Sequence, residues 1–125
     1  EEVLSKSDIV TLHCPLTEDS RNLINQDRIA QMKKGAILIN AARGPIVDSK
    51  ALADALNSGY LRGAGVDVFE MEPPLPMDHP LLHSINTIVT PHIAFASDES
   101  MEIRAEIVFE NIQKWMNKEQ VNTIL

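Results

Sequence analysis

Four short runs of apolar and small residues constrain this sequence most. They cover residues 9–13 (IVTLH), 36–40 (AILIN), 63–68 (GAGVDV) and 87–91 (TIVTP). The runs are nearly continuous rather than alternating, which is typical of strands covered on both faces in a parallel sheet. Because helical stretches lie between them, their order predicts right-handed crossovers and an α/β fold with an open parallel sheet of about four strands.

The stretches between the runs predict two flanking helices and one loop. Residues 25–34 have helical spacing and end at Gly35, a residue suited to helix termination. Asp48 can cap a second helix that ends near Gly59. Four prolines in residues 70–86 disfavour a helix and predict an extended surface loop.

The last third of the chain predicts one long helix, capped by Ser97. Its apolar stripe is broader than an exposed helix needs, so we expect part of it to meet another element, another domain or a second copy of the chain. Packing on the sheet edge alone is the alternative. We divide the chain into residues 1–96 and residues 97–125. The stripe consists of Met101, Ala105, Val108, Ile112 and Trp115, widened by Ile103, Ile107 and Phe109.

Composition excludes several function classes. The 125 residues carry a formal charge of −7 without a basic cluster, which argues against nucleic acid as a partner. The longest apolar runs are about five residues, far below the length that spans a membrane. The single cysteine, Cys14, suits a reducing cytoplasm. The sequence opens without a methionine, on residues typical of the end of a helix, and we expect it to be part of a longer protein.

Polar residues follow each predicted strand. His13 ends the first run, Arg43 follows the second, Asp67 and Glu72 follow from the third, and His92 directly follows the fourth. Parallel strands bring their carboxyl ends to one edge, where ligands bind in open α/β sheets. An imidazole transfers protons near neutral pH, and a guanidinium matches a carboxylate bidentately. The set predicts a site for a small carboxylate whose neighbouring oxygen gains or loses a proton.

These residues sit in four strings that resemble the D-isomer-specific 2-hydroxyacid dehydrogenase family. The strings are residues 12–17 (LHCPLT), 40–48 (NAARGPIVD), 65–73 (GVDVFEMEP) and 90–94 (TPHIA). They occur in that order at compatible spacing, and the resemblance covers essentially the whole chain. It implies a Rossmann-like fold and hydride transfer between NAD and C2 of a small 2-hydroxy acid or 2-keto acid, with NADP also possible, in a homodimer.

The resemblance also implies roles for individual residues. Arg43 corresponds to the arginine that grips the substrate carboxylate, and His92 to the general acid and base. Glu72 corresponds to the carboxylate partner of that histidine, although Glu70 is a rival two residues away. Asp67 corresponds to the residue near the nicotinamide carboxamide. The dinucleotide would also be lined by Cys14, Pro15, Ser20, Ala41, Ala42 and Arg43.

The sequence departs from the family in one respect. Its only close glycines, Gly63 and Gly65, lie inside a predicted strand, and Val68 stands where a third would be needed, so they are not the glycine-rich dinucleotide fingerprint. We therefore interpret the chain as the C-terminal half of a cofactor domain, followed by a helix that would return to a substrate domain.

Three other residues or pairs allow a structural interpretation as well as a functional one. His13 either lines the cleft or satisfies backbone groups. His79 and His83 have the spacing of a metal pair, but Pro80 breaks the helix that would align them. A nucleophilic role for Cys14 has little support. Two other functions remain open: a nucleotide-sensing corepressor of the same fold, and a stable piece that associates through its helix stripe.

Overall fold

The computed structural model describes residues 2–71 and 74–123. These residues belong to two compact units, 1–92 and 93–125. The first unit contains the α-helices α1 (Glu2–Lys6), α2 (Gln26–Ile29) and α3 (Ser49–Asn57), and two short 3₁₀ helices, η1 (Gly44–Ile46) and η2 (Pro80–Leu82). Its strands are β1 (Ile9–Leu12), β2 (Ile37–Asn40), β3 (Gly63–Val66) and β4 (Thr87–Val89). The second unit contains α4 (Asp98–Met116).

The four strands form one parallel sheet in the order β1-β2-β3-β4. This confirms the predicted α/β class and all four strands, each slightly shorter than its apolar run. Leu12 is level with Asn40, and Asn40 is level with Val66. The carboxyl ends of neighbouring strands therefore lie side by side, as the prediction of a site at this edge requires.

The sheet is buried on one face and open on the other. The inward row contains Val10, Leu38 and Ala64, all nearly inaccessible. On the opposite face, Ile39 is 37% exposed and Ile88 is 73% exposed, and both lie in one row with Gly65 between them. The prediction that the strands are covered on both faces is therefore wrong for this chain. Continuous apolar runs reveal which residues avoid water but not which covering layers the chain supplies.

Helix α3 follows the prediction closely. The Asp48 side chain accepts a hydrogen bond from the backbone N–H of Ala51 at 2.9 Å, and the helix gives way at Gly59, whose φ is +72°. Only a glycine adopts that angle without steric cost. The buried positions Leu52 and Leu56 bring the helix into the core.

Helix α2 is much shorter than the predicted span of residues 25–34. After Ile29 the backbone closes into three-residue turns, in which the N–H of Met32 bonds the carbonyl of Ile29 at 3.0 Å. The Tyr60 hydroxyl lies 2.8 Å from the carbonyl of Ala30 and 2.7 Å from that of Met32. These carbonyl oxygens would accept backbone N–H groups four residues later if the helix continued. Ile29 and Met32 are buried nonetheless.

In the second unit, Ser97 caps α4 as predicted. Its hydroxyl accepts from the N–H of Ser100 at 3.2 Å, and the Ser100 hydroxyl accepts from the N–H of Ser97 at 3.1 Å. This reciprocal pair satisfies two backbone donors that a helix start leaves without partners. No described residue of α4 is buried, and Phe109 and Trp115 are 73% and 65% exposed.

Candidate active site

The turn after β2 is built around the buried side chain of Asn40. Its carbonyl oxygen accepts from the N–H of Ala42 at 3.1 Å, and its amide donates to the carbonyl of Arg43 at 3.0 Å. Both ends of the amide are therefore used to shape the turn. The guanidinium of Arg43 donates to the carbonyl of Ala42 at 2.7 Å, which orients the arginine at the edge of the sheet. Ala41 lies half-buried in the same turn.

Gly44 lets this turn touch the chain that follows β3. A Cβ added to Gly44 would lie 1.8 Å from the carbonyl carbon of Phe69 and 2.4 Å from the nitrogen of Glu70. Backbone atoms occupy that space, so no side-chain rotation can make room. The contact sets the position of Arg43 relative to residues 69 and 70.

The ends of β3 and β4 are joined through Asp67, which is buried. The Thr90 hydroxyl donates to the Asp67 carboxylate, and the backbone N–H of His92 donates to the Asp67 carbonyl at 2.9 Å. His92 has a φ of +58°, in the left-handed region that histidine enters more readily than most residues. These contacts hold the histidine directly beyond the end of β4.

Arg43, Asp67 and His92 line one cavity of about 230 Å³, which we call the strand-end cavity. Three of the predicted site residues thus come together at the carboxyl edge of β2, β3 and β4. Of the other two residues predicted for this edge, Glu72 lies outside the described residues and His13 does not line the cavity. Sequence reasoning did not single out the remaining lining side chains, which are mostly apolar: Val68, Phe69, Met71, Leu75, Leu82, Val89, Thr90 and Pro91.

Three further predicted cofactor residues, Cys14, Pro15 and Ser20, follow β1, the neighbour of β2. Ser20 is buried, and its hydroxyl donates to the carbonyl of Pro15 at 2.8 Å and accepts from the N–H of Thr17 at 2.7 Å. These two hydrogen bonds close the loop between Pro15 and Ser20. Cys14, which precedes this loop, is half-buried. The exposed His13 ring is within 2.9 Å of the Thr11 hydroxyl.

Glu70 is engaged away from the strand-end cavity. Its carboxylate accepts from the Ser49 hydroxyl at 2.8 Å and contacts the ring of His79 at 3.1 Å. Burial by itself would raise the pKa of Glu70, but its own backbone N–H, the Ser49 hydroxyl and the His79 ring together lower that pKa below its ordinary value. Glu70 lines a separate surface depression together with Arg21 and Lys50.

Residues 2–71 and 74–123 contain neither a metal-binding cluster nor a membrane-spanning helix. Within these residues, histidine, cysteine and carboxylate side chains form no group of three or more placed to hold a metal ion. No helix among them combines the length and apolar character that crossing a bilayer requires.

The strand-end cavity fits one end of a nicotinamide dinucleotide. Its walls are largely apolar, which suits a flat ring, and the buried Asp67 provides a carboxylate that can accept from a carboxamide. Drug-sized ligands occupy pockets of roughly 300–1,000 Å³. A cavity of about 230 Å³ therefore suits the nicotinamide end and not the whole cofactor.

Comparisons with known proteins agree with this geometry. Residues 1–94 match the family described as D-isomer specific 2-hydroxyacid dehydrogenase, NAD binding domain. A glyoxylate reductase from Thermofilum pendens is 49% identical over 112 residues, which are 90% of this chain and 33% of that protein.

Solved structures are similar as well. D-lactate dehydrogenase with NAD⁺ from Lactobacillus jensenii matches with a TM-score of 0.86 and 34% identity, over 99% of this chain and 41% of the other. An acyclic imino acid reductase in complex with NADPH and D-Arg matches with a TM-score of 0.87 and 33% identity, over 99% of this chain and 39% of the other. The chain thus spans only about a third to two-fifths of these proteins.

Proposed function

Because the chain belongs to the D-isomer specific 2-hydroxyacid dehydrogenase family, through its NAD binding domain, we propose that the whole protein is an oxidoreductase. It would transfer a hydride between NAD(H) and C2 of a small D-2-hydroxy acid or 2-keto acid. The observation that carries this proposal is the convergence of Arg43, Asp67 and His92 on the strand-end cavity. When bound, the nicotinamide cofactor supplies or accepts the hydride.

Each side chain has a definite task in this proposal. The Arg43 guanidinium binds the substrate carboxylate and polarises the keto oxygen. His92 donates a proton to that oxygen during reduction and accepts it during oxidation. Asp67 accepts from the nicotinamide carboxamide. The remaining predicted contacts to the dinucleotide come from the loops after β1 and β2, at Cys14, Pro15, Ser20, Ala41 and Ala42.

Glu72 is the better candidate than Glu70 for the carboxylate partner of His92. The Glu70 carboxylate is occupied by Ser49 and His79 and faces a different depression. A carboxylate beside His92 would favour the imidazolium that donates the proton. Glu72 therefore takes this role in the proposal.

The open face of the sheet supports a larger cofactor domain. Exposed side chains such as Ile39 and Ile88 form a row that needs a covering layer. We propose that residues 1–96 are the C-terminal half of the dinucleotide-binding domain and that residues 97–125 return to a substrate domain. The homodimer and the cytoplasmic location stay predictions. The compared relatives are named reductases or dehydrogenases, which does not favour the corepressor alternative.

The test is steady-state kinetics on the whole protein that carries this chain, with NADH or NADPH and a panel of glyoxylate, hydroxypyruvate and pyruvate. We expect turnover with at least one of them. His92→Asn should lower kcat by about 10²- to 10⁴-fold, the usual contribution of a general acid. Arg43→Lys should raise KM for the keto acid, because an ammonium lacks the planar fork.

Two matched variants act as controls. His83→Asn changes an exposed histidine of the proline-rich loop, and Arg62→Lys changes an exposed arginine at the amino end of β3. Both should behave as wild type. Absence of turnover with every keto acid, or an active His92→Asn variant, would contradict the proposed function.

A further inference from the structure

A buried histidine lies behind one wall of the strand-end cavity. The His79 side chain is only 4% exposed, and its ring packs edge-on against Phe69 with the ring centroids 5.2 Å apart. Phe69 lines the cavity, whereas His79 does not reach it. His79 can therefore affect the site only through the groups that it holds.

Both nitrogens of the His79 ring have partners, which fixes the tautomer. Nδ1 accepts from the backbone N–H of Leu81 at 3.3 Å, so the proton of the neutral ring is on Nε2. Nε2 then donates to the Glu70 carboxylate at 3.1 Å. Because both nitrogens are used inside the protein, the ring is a link between two segments.

The link joins three elements of the fold. Glu70 belongs to the chain after β3, Ser49 is the first residue of α3, and His79 caps η2. The backbone of residues 69 and 70 also touches Gly44, the neighbour of Arg43. The contacts of Glu70 and His79 thus tie together the segments that carry Phe69 and Leu82, and the turn that carries Arg43 touches the first of these segments at Gly44. Arg43, Phe69 and Leu82 all line the cavity.

We propose that His79 is a positioning residue that acts through Glu70. The pair holds the wall formed by Phe69 and Met71 in place, and it anchors the chain two residues before Glu72. This inference rests on the proposed function, since it concerns the wall of the proposed substrate and nicotinamide site. It explains why a carboxylate so near the site is directed away from it.

Two substitutions of His79 separate the link to Glu70 from the cap of η2. His79→Asn keeps an acceptor for the N–H of Leu81 but is too short to reach Glu70. His79→Gln carries an amide N–H that can reach Glu70. In the whole protein, His79→Asn should lower kcat by about 10-fold or more, because small misplacements in a site can cost up to about 10²-fold. His79→Gln should recover most of that loss.

A double-mutant cycle tests whether the effect passes through Glu70. Glu70→Ala should lower kcat to a similar extent, and the double variant with His79→Asn should be no worse than either single variant. His83→Asn, in the same loop, should retain the kcat of the wild type. Melting temperatures of all variants show that each is folded at the assay temperature.

The outcomes separate the two proposals. If wild type turns over and His79→Asn keeps its kcat with only a lower melting temperature, the histidine has a merely structural role and the positioning proposal is overturned. Additive losses in the double variant would overturn the route through Glu70. If wild type turns over no keto acid, the proposed function fails and this role fails with it.

Discussion

At the scale of single residues, the site depends on positions that do not tolerate an added side-chain atom or a lost charge. Gly44 is one, because the backbone of Phe69 and Glu70 occupies the space of its missing side chain. Glu70 is another, because two side chains and a backbone N–H bond its ionised form. Neither residue carries out chemistry in the proposed reaction. Gly44 lets the turn that carries Arg43 touch the backbone of Phe69, and Glu70 bonds Ser49 and His79.

We expect Gly44→Ala to destabilise the protein by about 1–3 kcal/mol or more, the range for overpacking a site that cannot yield. Urea unfolding measures this loss through the midpoint at constant slope. Gly35→Ala is the matched control for crowding. A Cβ there would meet nothing within 4 Å, so its cost comes only from the φ of +83°. Gly35→Ala should therefore lower the free energy of unfolding less than Gly44→Ala does. A Gly44→Ala variant as stable as wild type would contradict the close contact.

We expect part of the free energy of unfolding to depend on the ionisation of Glu70. Its pKa in the folded chain is lower than its ordinary value of 4.5. Its contribution is therefore fully present above about pH 4.5 and is lost as the pH falls through the lowered pKa. Glu70→Gln should flatten the pH dependence of the free energy of unfolding in this window, and Ser49→Ala should flatten it in part. An unchanged acid slope in Glu70→Gln would contradict this.

At the scale of elements, local sequence specifies where a helix starts more firmly than where it ends. Asp48 and Ser97 cap α3 and α4 as their sequences indicate, because a cap is a contact over three residues. Beyond the end of α2, the carbonyls of Ala30 and Met32 bond instead to the hydroxyl of Tyr60, which is 28 residues from Met32 in sequence. No local pattern in residues 25–34 contains that information.

Removing the cap of α3 should weaken the first unit. Asp48→Ala is expected to cost about 1 kcal/mol, because the N–H of Ala51 loses its acceptor at the start of a helix that packs into the core. Denaturant unfolding measures this change. Lys50→Ala removes an exposed ion pair with Asp54 in the same helix and should leave the stability of wild type almost unchanged. A larger loss in Lys50→Ala than in Asp48→Ala would contradict the capping role.

At the scale of the whole molecule, the chain contains the residues proposed to bind the substrate and transfer the proton, but no glycine-rich phosphate-binding fingerprint. Its glycines number five, and none forms the G-x-G-x-x-G pattern that opens a helix. The strand-end cavity, at about 230 Å³, is smaller than the pockets of roughly 300–1,000 Å³ that hold drug-sized ligands. We expect the phosphates of the dinucleotide to be held by residues of the whole protein that this chain does not contain.

We therefore expect the 125-residue chain by itself to bind NADH weakly and to reduce no 2-keto acid. Fluorescence titration with NADH measures the affinity, and the whole protein is the control. Micromolar affinity together with turnover by the isolated chain would contradict the division proposed for residues 1–96 and 97–125.

Local sequence is enough to predict the four parallel strands, the caps of α3 and α4, and the meeting of Arg43, Asp67 and His92 at one edge of the sheet. These follow from hydrophobic runs, from contacts over three or four residues, and from the rule that parallel strands end together. The folded chain adds three features that no local pattern shows: Glu70 turns to Ser49 and His79, the Tyr60 hydroxyl bonds carbonyls at and beyond the end of α2, and one sheet face is open. Each of these depends on contacts between residues distant in sequence, whose approach is set by the packing of the whole unit.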